Sequence, residues 1–371
     1  MAFFRFWSPD LYIFFGVAHN TIERQGDGMA QNVFRLSACV RAAASAVGKK
    51  EADGPLGACF DFCDPDNRFG KKTWESAESE MQRVALNTAL SRAELRDADV
   101  DVLLAGDLLN QCVGSAYGLL SFDIPYFGLY GACSTCAEGI LLASSLVSGG
   151  MCDVCAAVTS SHYCAAERQY RTPLEYGSQR TPTAQWTVTG AGAFLVGKDV
   201  GDSARLVRIT RGMPGKAMEC GINDANNMGA AMAPAAADTL VRFFRETGGR
   251  PEHYGLIVTG DLGFEGGAIL SDLMRIEGYP MGERYTDCGQ LIYDRERQDV
   301  HGGGSGCGCS AVVLAAYLLP ELIRGRWERI LFLSTGAMMS PDSIKQGESI
   351  PAVAHLLEFC RDGGKGGTAR D

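Results

Sequence analysis

Runs of continuous apolar residues alternate along this chain with segments whose apolar positions recur at helical spacing. Such alternation marks buried parallel strands joined by crossover helices. Strands are predicted at 100–106 (VDVLLAG), 125–130 (PYFGLY), 153–160 (DVCAAVTS), 187–197 (TVTGAGAFLVG), 255–260 (GLIVTG) and 329–335 (RILFLST). A helix is predicted over 74–92, where Ala77, Met81, Val84, Ala85 and Thr88 form a stripe and Thr73 stands in the N-cap position. Residues 234–247, 267–277 and 309–324 have the same character, the first opening with Pro234 near its first turn.

The elements also repeat. Leu103-Leu104-Ala105-Gly106-Asp107-Leu108 recurs as Ile257-Val258-Thr259-Gly260-Asp261-Leu262. Further on, at one constant spacing, Cys133-Ser134 matches Cys309-Ser310, Leu142 matches Leu318, Gly149 matches Gly325, Val154 matches Ile330 and Thr159 matches Thr335. A shared order of strand, Gly-Asp turn, Cys-Ser helix start and strand argues for duplication. Halves are therefore expected at 29–200 and 201–360, between an N-terminal extension at 1–28 and a flexible glycine-rich tail at 361–371. Met29 begins a stretch (MAQNVFRLSACV) that reads equally well as a start. Upstream of it, Arg5 and Ser8-Pro9-Asp10 interrupt the apolar run, so no membrane span or clean secretion signal is expected.

Composition narrows the function. With 46% apolar and 21% charged residues, the 371-residue chain has the make-up of an ordinary core-forming protein. Its 34 Lys and Arg against 44 Asp and Glu leave a net charge of −10, and no basic cluster gathers that would track a phosphate backbone. Nucleic acid is thus not an expected partner. The 14 cysteines lie mostly in apolar runs and are expected to be reduced thiols.

Cys133, in Gly131-Ala132-Cys133-Ser134-Thr135, falls between a buried strand and an apolar helix. At such a turn the helix N-terminus would favour the thiolate, while a small buried packing residue is the plain alternative. Cys133-x-x-Cys136 and Cys152-x-x-Cys155 have zinc-ribbon spacing, but the apolar helix between them argues against a metal site. His162 follows a strand end, where open α/β sheets collect ligand groups; it reads equally as a structural histidine. His301 precedes a glycine-rich turn, Gly302 to Gly308, that would suit an anion at a helix start but lacks nucleotide-binding spacing. Arg168 and Arg171 would suit a carboxylate, or simply pair with neighbours such as Glu167.

The duplicated halves, the elbow cysteine in GACST, the TVTGAGAFLV strand and the late glycine-rich turn resemble the thiolase and β-ketoacyl synthase superfamily. Within it, six motifs are similar to the stage V sporulation protein AD family: Asp53-Gly54-Pro55-Leu56-Gly57, Leu104 to Gln111, Thr159 to His162, Ala165 to Gln169, Met232 to Thr239 and Gly303 to Cys307. The resemblance runs from about Asp53 to about Glu358. It implies a thiolase-like α/β fold, two duplicated βαβαβ-type halves layered α-β-α-β-α, in a homodimer. It further implies a protein that binds dipicolinic acid, free or as its calcium complex, and helps move it into the developing spore. The implied partners are the membrane proteins of the SpoVA channel, with the chain peripheral on the forespore inner membrane and no cofactor.

Condensing enzymes of the superfamily join the elbow cysteine to a His and an Asn. In those places this chain reads Thr259-Gly260-Asp261-Leu262 and Gly302-Gly303-Gly304-Ser305. The expectation is a former active-site pocket that receives a planar aromatic dicarboxylate, using Cys133, His162, Gly303, Gly304, Ser305 and Cys307, with Arg168 or Arg171 balancing charge. An acyltransferase using Cys133 with His162 as a relocated base is the runner-up, and a channel scaffold the third reading.

Overall fold

All six strands expected from the apolar runs form, and four that the pattern did not show, with the two-residue strand Phe62–Cys63 beside the first of them, complete one mixed sheet. The computed structural model describes residues 32–170, 180–198 and 206–361. The strands are β1 (Phe34–Val47), β2 (Val102–Gly106), β3 (Tyr126–Gly128), β4 (Val154–Ser161), β5 (Gly190–Gly197), β6 (Val207–Met213), β7 (Leu256–Thr259), β8 (Tyr285–Asp287), β9 (Arg329–Ala337) and β10 (Ala352–Arg361). The principal helices are α1 (Trp74–Ala93), α2 (Thr135–Ser148), α3 (Tyr163–Tyr170), α4 (Met228–Thr247), α5 (Gly263–Ile276) and α6 (Cys307–Val313).

The strand order is β8-β7-β9-β10-β6-β1-β5-β4-β2-β3. Read outward from the antiparallel β1/β6 pair, the two arms are the same: β5, β4, β2, β3 on one side and β10, β9, β7, β8 on the other. Pairing types match as well. In each arm the two inner junctions are antiparallel and the two outer ones parallel. This corrects the expectation of parallel strands throughout, because the TVTGAGAFLVG segment runs antiparallel to both of its neighbours.

α2 packs on β4 and β1 on one side and on β9 and β10 on the other, and α6 reaches β5, β4 and β9. These two helices are the middle of five layers. α1 covers the outer face of β1, β5 and β4, while α4 covers β10 and β9. The glycines of β5 admit α6: a Cβ on Gly190 would stand 2.8 Å from Val312 Cγ1, and one on Gly192 would stand 2.8 Å from Ala311 Cβ.

Two helix expectations change. Pro234 does not open α4, which begins six residues earlier after Asn227, whose side chain accepts from the Ala230 N–H. The 309–324 segment starts at Cys307 and passes through a π-helical turn, Leu314–Leu318, before ending at Ile323. By contrast, Thr73 does cap α1, accepting from the Ser76 N–H at 3.2 Å.

The internal repeat needs a shift. Val102 pairs with Cys155 and Leu256 with Ile330, so Ile330 stands where Cys155 does, one residue from the Val154 match. Ala132 (φ 50°) and Gly306 (φ 99°) are both left-handed residues preceding a cysteine. Cys307, not Cys309, is thus the geometric counterpart of Cys133. Apolar matches tolerate such a slip in a continuous buried run, whereas the sheet register does not.

Candidate functional site

Gly131 to Ser134 carry the chain from β3 into α2 through a turn held by its own hydroxyls. The Gly131 N–H donates to Thr135 Oγ1 at 3.0 Å, Thr135 Oγ1 donates to the Ala132 carbonyl at 2.7 Å and Ser134 Oγ to the Gly131 carbonyl at 2.6 Å. With Ala132 in the left-handed region, the turn aims Cys133 inward, where it is 6% exposed. Its apolar neighbours are Leu108, Ala166 and Cys307.

The polar group facing the thiol is Asp261, at the turn after β7. Its carboxyl accepts from Thr335 Oγ1 at 2.8 Å, Ser305 Oγ at 3.2 Å and the Gly306 N–H at 2.9 Å, and the Cys133 thiol bonds to it as well. Elements of both arms therefore meet at Cys133: its own elbow, the β7 turn, the end of β9 and the Ser305-Gly306 turn. Cys307, from the second arm, donates to the Ser160 carbonyl at 2.9 Å. Beside it, Ser160 donates to Glu78 at 2.8 Å, and Ser115 donates to Asp107 at 2.6 Å.

Electrostatics here oppose the expected thiolate. Burial first, then the Asp261 carboxyl, push the Cys133 thiol well above its ordinary range. Cys307 is pushed up by burial and by Cys133, Glu78 and Asp107. Loss of hydration in a nearly dry site outweighs what a helix N-terminus supplies, and α2 begins only at Thr135. Burial likewise raises Asp261, and it raises Asp287, which neighbours the β7 turn, to about 7.

Of the residues expected to bind ligand, Cys133, Ser305 and Cys307 are brought together. Gly303 and Gly304 adjoin them, but their backbone groups serve the fold. The Gly303 carbonyl accepts from the Trp186 N–H at 2.8 Å and the Gly304 carbonyl from Gln185 Nε2 at 2.9 Å, which closes the short pairing of Gly304–Ser305 with Trp186–Thr187. His162 is not beside Cys133. Its Nε2 lies 2.9 Å from the Asn67 carbonyl oxygen and its ring packs on Trp74, and burial lowers its pKa. Ala166, one turn further along α3, faces Cys133 instead. Arg168 pairs with Glu75 on the surface, and Arg171 lies outside the described residues. His301 is held by Asp299 at 2.9 Å and by the Thr181 carbonyl at 2.8 Å.

Asp261 was legible only as a term of the repeat and as part of the Thr259–Leu262 stretch standing where a histidine was expected. Its partner Thr335 was legible only as a term of the repeat. Tyr130 and Tyr170, which border the site, gave no signal of their own. Tyr170 Oη donates to the Leu108 carbonyl at 3.0 Å and lies 2.9 Å from Tyr130 Oη.

Residues 28–359 match the profile of the Stage V sporulation protein AD (SpoVAD) family. The chain belongs to this family. It is 44% identical over 332 residues to stage V sporulation protein AD of Bacillus subtilis (strain 168), an alignment covering 90% of this chain and 97% of that one. Among solved structures, cerulenin-bound OleA of Xanthomonas campestris is similar, with a TM-score of 0.58 and 15% identity over 90% of this chain and 99% of that one. So is 3-oxoacyl-[acyl-carrier-protein] synthase III of Aquifex aeolicus, with a TM-score of 0.51 and 12% identity over 87% of this chain and 99% of that one. At these identities the likeness shows the fold, which is thiolase-like. No described helix is long and apolar enough to cross a membrane.

Proposed function

We propose that this sporulation protein binds dipicolinic acid at the Cys133 site, as a non-catalytic component acting with the SpoVA channel proteins in moving the acid into the spore. The observation that carries this reading is the partner of Cys133: a buried carboxyl, Asp261, where thiol-dependent condensation needs a base. A neutral thiol facing an acid is a poor nucleophile, and acyl transfer also needs oxyanion donors. Here the Gly306 N–H and Ser305 Oγ are already bonded to Asp261. The same groups suit binding. A carboxylate entering here is bound by redirecting to it the Ser305 and Cys133 donors that now serve Asp261 and the Cys307 donor that now serves the Ser160 carbonyl, and the burial that raises Asp261 favours its neutral form beside an anion.

Calorimetric titration of the full chain with dipicolinate tests the proposal. Saturable binding is expected, weakened several-fold in Cys133→Ala; a folded chain that takes up no dipicolinate overturns it. Incubation with acyl-CoA thioesters should leave the intact mass unchanged, and an acyl adduct on Cys133 would favour the acyltransferase.

The edge strand β3 presents Tyr126 and Phe127 to solvent, as Tyr117 and Leu120 are in the preceding segment. An uncovered apolar edge supports pairing of two copies. Light scattering should give a dimer for the native chain and a monomer for Phe127→Asp.

A further inference from the structure

In this structure the candidate site is shut. Cys133 is 6% exposed and Cys307 is fully buried, so a ligand reaches either thiol only when something moves. The segments that close over the thiols are tied at a few named points. Asn110 and Gln169 exchange two hydrogen bonds, the Asn110 N–H to Gln169 Oε1 and Gln169 Nε2 to Asn110 Oδ1, each at 3.1 Å. One residue on, Tyr170 donates to the Leu108 carbonyl and so must accept from Tyr130. A directed chain results, from the Tyr130 hydroxyl to the Tyr170 hydroxyl to the Leu108 backbone. It joins three segments that flank Cys133: the turn after β2, the turn after β3 and the end of α3.

Two further features mark this as a place that opens. Tyr130 is 40% exposed, so its ring reaches from solvent toward the buried thiols. The anchor under the pair, Leu108 to Cys112, carries two consecutive residues in the left-handed region, Gln111 (φ 56°) and Cys112 (φ 51°). Neither is glycine, and such backbone is disfavoured unless surrounding contacts hold it. Elsewhere around Cys133 the ties are buried inside the sheet or its turns, as at Thr335, Gly306 and Ser160.

We propose that Tyr130 and Tyr170 form a hydrogen-bonded aromatic latch over the Cys133 site, which a planar ligand must part and whose rings then line its path. This deepens the dipicolinate reading and rests on it for the identity of the ligand. Parting the pair frees the Tyr130 hydroxyl to donate to an incoming carboxylate, exchanging a neutral hydrogen bond for a charge-assisted one. Burial raises both phenols above their ordinary range, so they remain donors.

Peptide-mapped alkylation of the folded full chain with N-ethylmaleimide reads the latch without requiring dipicolinate. The quantity measured is labelling of Cys133 relative to the exposed Cys59. Tyr170→Phe, which keeps the ring, should raise it several-fold, up to about tenfold, the worth of one or two neutral hydrogen bonds. Tyr130→Ala should raise it more. Cys155 and Cys309, deep in the core, must stay unlabelled, which identifies a misfolded variant; Tyr170→Phe decides if Tyr130→Ala fails that check. Unchanged Cys133 labelling in folded Tyr170→Phe overturns the latch. In the same samples, dipicolinate should protect Cys133; faster labelling in the variants with no such protection would uphold the latch and reject the ligand.

Discussion

Asp261, bonded to the Cys133 thiol, adds to burial in disfavouring the thiolate at the elbow. It accepts from Thr335, Ser305 and Gly306 in a site without bulk water, so replacing it leaves several buried donors without an acceptor. Asp261→Ala is expected to cost about 3 kcal/mol or more of unfolding free energy, measured by urea denaturation; a loss below about 1 kcal/mol would mean the carboxyl holds little together. Asp261→His places beside Cys133 the residue type expected of a condensing enzyme within Thr259–Leu262. It is not expected to confer acyl transfer, because the Gly302–Ser305 turn carries no asparagine side chain to serve as the second oxyanion donor, and an acyl-CoA assay on a folded variant checks this. His162 shows how far residue type alone misleads. A histidine after a buried strand suggests chemistry, and only its bond to the Asn67 carbonyl shows it serving the loop instead.

At the scale of elements, the helices and inner strands were legible because burial imposes periodicity on them. Thr73 capping α1 is a local event of a few residues, so sequence suffices to find it. Thr73→Ala should cost about 1 kcal/mol in thermal or chemical unfolding. The strands that went unseen are of another kind. β1 reads FRLSACVRAAASAV, alanine-rich with little β propensity, and is a strand because β5 and β6 pair with it on both sides. The glycine pattern of β5 and α6 has a steric meaning that only the packed layers reveal. A Cβ on Gly308 would lie 2.3 Å from the Gly190 carbonyl oxygen and 2.6 Å from Ser161 Oγ. Gly308→Ala should therefore destabilise by about 2–3 kcal/mol.

Among the described residues, five buried carboxyls, Glu51, Glu78, Asp107, Asp261 and Asp287, are held above their ordinary values, burial being the largest cause for each. The folded state therefore binds more protons than the unfolded chain between the ordinary carboxylate range and these raised values. Their contribution to stability is complete below about pH 4 and is lost as pH rises through the folded values, with Asp287 near 7. Glu80 and Glu321 act in the opposite sense, because Arg83 and Arg324 lower them, and what they contribute is lost on acidification. The midpoint of thermal unfolding should consequently be higher at pH 5.5 than at pH 8. The buried histidines His162 and His355, both lowered by burial, act in the opposite sense in this window, and a higher midpoint at pH 8 would show that they outweigh the acids.

From the sequence came the strands and helices with strong periodicity, the duplication, the elbow at Cys133 and the Gly-Asp turn at Gly260-Asp261. All of these rest on short-range patterns or on residue identity at a recognisable turn. Tertiary structure alone decided that β5 runs antiparallel, that Cys307 rather than Cys309 answers Cys133, and that His162 points elsewhere. It also decided that Asp261, Thr335, Tyr130 and Tyr170 gather around one thiol. These depend on register and on which segments a folded sheet brings within hydrogen-bond reach, and a one-residue slip in a uniformly apolar strand leaves the pattern intact while moving every side chain to the other face.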